Sequence, residues 1–165
     1  MASDVSFDVV SDFDQQELVN ALDQARREIQ QRYDFKGGLA TFDLEKTEIV
    51  LRTDSETRAR AMRDLLESKA IRRGLSLKVF DWGEIEAAGG STLRQRIGLR
   101  RGLPEDLAKK ISKLIRDEFP KIKSQIQGDA VRVSGKSKDE LQKVISRLRQ
   151  EAEGYAVPLD FQNYR

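Results

Sequence analysis

The sequence predicts an α+β chain of two ferredoxin-like βαββαβ units with antiparallel sheets. A block of strand, cap and helix recurs at a fixed offset of 82 residues, between 47–66 and 129–148. Ile49 and Leu51 of the first copy match Val131 and Val133 of the second, and Ser55 matches Ser137. The helical stripe Ala59, Met62 and Leu66 matches Leu141, Val144 and Leu148. Such self-similarity marks a duplicated supersecondary unit, and the order of apolar patterns around it reads strand, helix, two strands, helix, strand in each half. The halves so defined are 1–90 and 91–165.

Val5 to Val10 alternates as a strand. Asp14 with Glu17 three residues later has capping-box spacing, and the helix it opens keeps Leu18, Leu22, Ala25, Ile29 and Tyr33 on one face. From Asp34 to Leu44 the pattern returns to alternation, with Ala40, Phe42 and Leu44 facing one way. A Glu45-Lys46 turn leads to a strand from Glu48 to Thr53, making a hairpin. A helix from about Ser55 to Arg73 is stopped by Gly74, because glycine adopts the left-handed conformation that ends a helix. Leu75 to Trp82 reads as the fourth strand, and Glu84 to Gly90 as an acidic connector.

The second half repeats the order. A strand spans Leu93 to Arg100, and Pro104 opens a helix with Leu107, Ile111, Leu114 and Ile115 inward. Pro120 closes it. The hairpin is Lys121 to Gln127 and Ala130 to Ser134 around Gly128-Asp129. The last helix, Ser137 to about Glu151, starts with a capping-box pair, Ser137 and Glu140, and the last strand is Val157 to Phe161.

The chain contains neither Cys nor His, which removes thiol nucleophiles, disulfides, imidazole bases and most transition-metal sites. No catalytic residue, metal site or cofactor is expected, and the enzyme class is disfavoured. The first residues lack a basic region followed by an apolar core, and no apolar run approaches membrane length, so a cytoplasmic, soluble protein is the expectation. The net charge of +2 is unevenly spread. Residues 1–90 hold 13 Lys and Arg against 18 Asp and Glu, whereas 91–150 hold 16 against 7. A local basic segment is either a contact for a polyanion or a solvated face.

In a plait, helices cover one sheet face and the other is open to a ligand or partner. Alternation puts Gln95, Ile97 and Leu99 on one side and Arg94, Arg96 and Arg100 on the other. On the next strands it turns Ile122 and Ile126 inward and Lys121, Lys123, Gln125, Gln127 and Arg132 outward, a set suited to phosphates and base edges. Leu75, Leu77 and Val79 point inward, which leaves Phe80 and Trp82 on the opposite side. There they either stack on bases or form the interface between the halves.

Gly135-Lys136-Ser137 resembles the end of a phosphate loop, but the first glycine of that motif is Ala130 here, so no Walker-type site is expected. Lys136 beside a helix start still suits one phosphate, while the Ser137 cap is the stronger explanation. Phe35-Lys36-Gly37-Gly38 puts a cation beside flexible backbone, either an anion-holding bend or a strand bulge.

Five blocks, read together, resemble the YajQ family of bacterial proteins from end to end. They are Ser6-Phe-Asp-Val-Val-Ser11, Arg32-Tyr-Asp-Phe-Lys-Gly37, Gly89-Gly90, the run from Ile126 to Lys136, and the closing run from Pro158 to Arg165. The resemblance implies two plait domains that exchange their first strands, so that the strand near residue 7 completes the second sheet and the one near 97 the first. It also implies binding of a nucleotide (cyclic di-GMP, GTP or ATP) or of RNA without a known reaction, with a protein partner such as a transcription factor, or DNA, downstream. Exchange would bring Arg94, Arg96 and Arg100 to the sheet that owns Phe80 and Trp82. That combination suits a cyclic dinucleotide, with Trp82 stacking on a base and Arg94 or Arg96 pairing with phosphate.

Overall fold

The computed structural model describes residues 4–165. Among the described residues eight strands and four α-helices follow one another. They are β1 (Val5–Val10), α1 (Gln15–Gln31), β2 (Ala40–Leu44), β3 (Glu48–Thr53), α2 (Glu56–Arg72) and β4 (Phe80–Ala87). Then come β5 (Leu93–Leu99), α3 (Glu105–Glu118), β6 (Lys123–Gln127), β7 (Ala130–Gly135), α4 (Lys138–Ala152) and β8 (Asp160–Gln162). Two compact units result: a central unit, residues 13–100, and a terminal unit that joins residues 4–12 to 101–165. Each is therefore assembled differently from the contiguous stretches 1–90 and 91–165.

The central sheet has the order β2-β3-β5-β4 and the terminal sheet β6-β7-β1-β8, with every pair antiparallel. Thus β5 lies between β3 and β4, and β1 between β7 and β8. Both sheets have the strand order of a ferredoxin-like unit, with two helices on one face.

In the central unit Leu18, Leu22 and Ala25 of α1 and Ala59, Met62 and Leu66 of α2 are buried with Phe42, Ile49, Leu51 and Ile97 of the sheet. In the terminal unit Ile111 and Ile115 of α3 and Leu141, Val144 and Leu148 of α4 meet Phe7, Val9, Val131 and Val133. Removing these side chains from water is the main stabilising contribution, about 1.5–3 kcal/mol for each large aliphatic residue. The duplicated stripe read in the sequence is thus the share of one helix, α2 or α4, in each core.

The caps are local chemistry. Asp14 accepts from the backbone N–H groups of Gln16 and Glu17, Ser55 from Arg58 and Ser137 from Glu140, each satisfying amides that the first turn leaves without a partner. Gly74 takes φ +79° just beyond α2, and Gly128 takes φ +61° in the β6–β7 turn.

Four expectations are corrected. First, α1 ends at Gln31, and a 3-10 turn over Tyr33–Phe35 replaces the helix's last residues, so Tyr33 is 86% exposed instead of joining the apolar face. Second, Leu77–Val79 is a 3-10 turn and not strand, because Ser76 accepts from the Lys78 N–H and its carbonyl from the Val79 N–H. Third, β4 begins at Phe80 and continues through Glu84–Ala87, with a bulge between Trp82 and Ile85, where a connector was expected. Fourth, the outer strands are shorter: β6 starts at Lys123, and β8 is Asp160–Gln162.

Candidate functional site

The hairpin β6–β7 places Lys123 opposite Ser134, Gln125 opposite Arg132 and Gln127 opposite Ala130. These residues alternate with Val131 and Val133, which are in the core, so Lys123, Gln125, Gln127 and Arg132 share the sheet face away from the helices. Lys121 is exposed in the turn before β6, and Lys136 is exposed between β7 and α4.

Two adjoining grooves follow this edge. One, about 530 Å³, wraps β6 and is lined by Lys123, Gln125, Arg132 and Ser134 from the open face and by Ser112, Arg116 and Ser124 from the helix side. The other, about 470 Å³, is lined by Lys121, Lys123, Lys136, Ser134 and Ser137, with Asp4 and Glu140. They share Lys123 and Ser134. Four strand steps separate Lys123 from Gln127, roughly 13 Å at the usual rise, so the edge presents a row of polar groups.

The cations on this row differ in availability. Arg132 Nε donates to Asp8 Oδ1 at 3.0 Å, and the bond holds the Asp8 carboxyl below its ordinary value. Asn163 donates to the other Asp8 oxygen at 2.8 Å. Lys121, Lys123 and Lys136 make no ion pair among the described residues. Lysines on an edge strand also hinder edge-to-edge association, since an inserted strand would bury them. The start of α4 is no special anion site: Ser137 caps it, and Asp139 and Glu140 already offset its dipole.

Ser134, Ser112 and Arg116 also line the first groove, and no local sequence pattern marks them. Ser112 and Arg116 lie four apart on α3, a spacing that puts both on one helix face, and Ser112 Oγ is 2.7 Å from Ser124 Oγ.

On the central sheet, Arg94 and Arg96 are on the face opposite Gln95 and Ile97, as alternation requires. That face does not lack carboxylates, because neighbouring strands supply them. Arg94 pairs with Glu86, Arg96 with Glu48 and Arg52 with Asp43. Arg100 pairs with Asp81 and donates to the Lys78 carbonyl. The cations are spread through ion pairs instead of concentrated for a phosphate.

Phe80 and Trp82 are not on that face. Phe80 is 3% exposed in the core, and Trp82 packs partly buried against the same cluster with Arg63 of α2 over its ring at 4.6 Å. The turn at Leu77–Val79 reverses the alternation, so both rings turn toward the helices. Arg94, Arg96 and the two rings therefore share a sheet but occupy its opposite sides, and the stacking site for a cyclic dinucleotide is not assembled.

The segment Phe35-Lys36-Gly37 is likewise divided. Phe35 is buried in the core with Arg32 over its ring at 5.1 Å, whereas Lys36 and Gly37 are exposed. Gly37 takes φ +76°, which explains glycine there.

Among the described residues no cluster of three or more His, Cys, Asp or Glu side chains could hold a metal. No helix is long and apolar enough to cross a membrane.

Fold and site together define a two-plait protein with a lysine-rich groove along one sheet edge. Residues 5–165 match the family described as nucleotide-binding protein YajQ-like, and the chain belongs to that family. A relative from Chloroflexus aggregans, named nucleotide-binding protein, is 56% identical over 165 residues, all of both chains. Proteins of the same name from Trichormus variabilis and Roseiflexus are 54% and 50% identical, again over the full length of each chain.

Proposed function

We propose that this chain is a non-enzymatic nucleotide-binding protein and that the groove along β6 takes the phosphates of single-stranded RNA. The observation that carries the reading is the pair of adjoining grooves sharing Lys123 and Ser134, with Lys121, Lys123 and Lys136 free of ion pairs among the described residues. The names of its relatives support a nucleotide ligand. A row of cations with the amides of Gln125 and Gln127 beside them suits a strand of phosphates whose bases are turned out. Cyclic di-GMP fits less well, since Trp82 and Phe80 are turned away from Arg94 and Arg96.

The test is fluorescence anisotropy with a labelled single-stranded RNA, repeated with Lys121, Lys123 and Lys136 changed together to Gln. Each neutralised phosphate releases counterions, so the slope of log affinity against log salt should be shallower by about 0.7 for each lysine lost. Calorimetry with cyclic di-GMP and GTP runs alongside. Tight binding of cyclic di-GMP that the triple variant leaves intact would remove the groove from the function.

A further inference from the structure

Tyr33 is 86% exposed, far more than Tyr164 at 58% or Tyr155 at 6%. A lone exposed aromatic ring is common on protein surfaces. The segment that carries this one is fixed on both sides. The Phe35 N–H donates to the Arg32 carbonyl and the Lys36 N–H to the Tyr33 carbonyl, closing the 3-10 turn. Arg32 is bound to Asp34 by two hydrogen bonds of 3.0 and 2.8 Å while its guanidinium lies over buried Phe35.

Beyond the turn, Arg58 of α2 donates to both oxygens of Asp54, at 2.9 and 2.8 Å, and to the Lys36 carbonyl at 3.4 Å. Asp54 accepts from the Leu39 N–H. A Cβ at Gly38 would lie 1.4 Å from Arg58 Nη1, so glycine is what lets the guanidinium lie against the loop. Two side chains are left projecting: Tyr33, and Lys36, whose Nζ is 5.8 Å from the Tyr33 ring centroid. Lys36 makes no ion pair among the described residues.

We propose that Tyr33 and Lys36 form a stacking platform for one nucleotide, the ring taking the base and the ammonium its phosphate. An aromatic ring on a hydrogen-bonded turn is an economical way to hold a base, because every base has a π-face and a tyrosine has only two side-chain torsions to fix on binding. The Lys36 ammonium lies over the ring's face, 5.8 Å from its centre, and its flexible four-carbon stem lets it swing aside to the phosphate when a base takes that face. The platform lies on the central unit and the β6 groove on the terminal unit, so it is a separate site that rests on the same nucleotide-binding reading. The ligand is a base bearing a phosphate, either a free nucleotide or one residue of a single strand.

The three tyrosines allow a direct readout. Incorporation of 3-fluorotyrosine gives fluorine resonances, and the one lost in Tyr33→Phe is assigned to Tyr33. GTP or a short single-stranded RNA should shift that resonance, and ribose 5-phosphate, which lacks a base, should not. Tyr33→Leu should weaken binding of whichever nucleotide ligand binds by about 5- to 150-fold, the range for one base–aromatic stack. Tyr33→Phe should stay within about twofold. A stronger response to GTP assigns the platform to free nucleotides, and a stronger response to RNA assigns it to a strand. An unmoved Tyr33 resonance at saturation, an undiminished Tyr33→Leu, or an equal response to ribose 5-phosphate overturns the platform. If binding still depends on Lys123 and Lys136 in that case, the groove stands alone; if the wild-type protein binds neither GTP nor RNA, both fall.

Discussion

Asp8 and Arg132 face each other across the β1–β7 pair, with Arg132 Nε 3.0 Å from Asp8 Oδ1 and both side chains on the sheet face away from the helices. Asp8 is 8% exposed, so its charge is sheltered by this bond and by Asn163. The pair joins a strand from the start of the chain to one from its last third.

The first prediction concerns acid. The Arg132 hydrogen bond, then the Asn163 bond, hold Asp8 below the ordinary aspartate value of 3.8, against the opposing effect of burial. A carboxyl with a depressed folded value binds fewer protons folded than unfolded. Its contribution is present above the unfolded value and is lost as pH falls through the folded one. Glu28, bonded to Lys69 at 2.9 Å, acts in the same direction from its ordinary 4.5. Urea midpoints should therefore fall as pH drops below about 4.5, and Asp8→Asn should flatten the lower part of that fall. An unchanged acid limb in Asp8→Asn would show that the pair does not couple to folding.

The second prediction separates paired from unpaired cations. Arg96→Gln breaks an ion pair with Glu48 on an exposed face and should leave nucleotide affinity within about twofold. Lys123→Gln removes a cation with no ion-pair partner among the described residues and should weaken binding while lowering its salt dependence. Anisotropy titrations at low and moderate salt compare the two.

The third concerns Trp82. Its ring lies between the core and Arg63, so Trp82→Ala should cost about 3 kcal/mol of stability, read from urea unfolding. Trp82→Phe should keep nucleotide binding unchanged, and the fluorescence of this sole tryptophan should not respond to ligand. A quench on adding cyclic di-GMP would contradict the placement of the ring.

The fourth concerns the clamp at Gly38. Gly38→Ala sets a methyl group against Arg58 and within 2.5 Å of Asp54 Oδ2, so the guanidinium must leave its carboxylate. Both groups it meets are the ends of flexible side chains at the surface, so a loss of no more than about 1 kcal/mol is expected, with increased mobility at Lys36–Leu39 measurable by amide hydrogen exchange.

Most of the architecture was legible because it is periodic or capped. The stripes of α2 and α4, the caps Asp14, Ser55 and Ser137, and the stop at Gly74 all act within a few residues, and each stands where the pattern puts it. The Lys123, Gln125 and Arg132 row was legible for the same reason, since one uninterrupted strand carries or pairs with all of it. What failed was phase. Ser76 bonding into the next turn converts Leu77–Val79 from strand to 3-10, and that slip moves Phe80 and Trp82 to the other face. Carboxylates opposite Arg94 and Arg96 were invisible because Glu86 and Glu48 come from other strands, and pairing between strands leaves no trace in a single segment. Tyr33 was misjudged by one turn of helix that does not form.

The terminal unit binds the two ends of the chain together: Val5 is paired with Gly135, and Val10 with Asp160. During synthesis the first strand therefore emerges long before any of its neighbours exist, whereas residues 13–100 contain every strand of their own sheet. The strands of the central sheet are all present once β5 has left the ribosome, whereas β1 must wait for β7 and β8. A cut at the middle of the sequence would part β5 from β3, whereas residues 13–100 carry every strand of the central sheet.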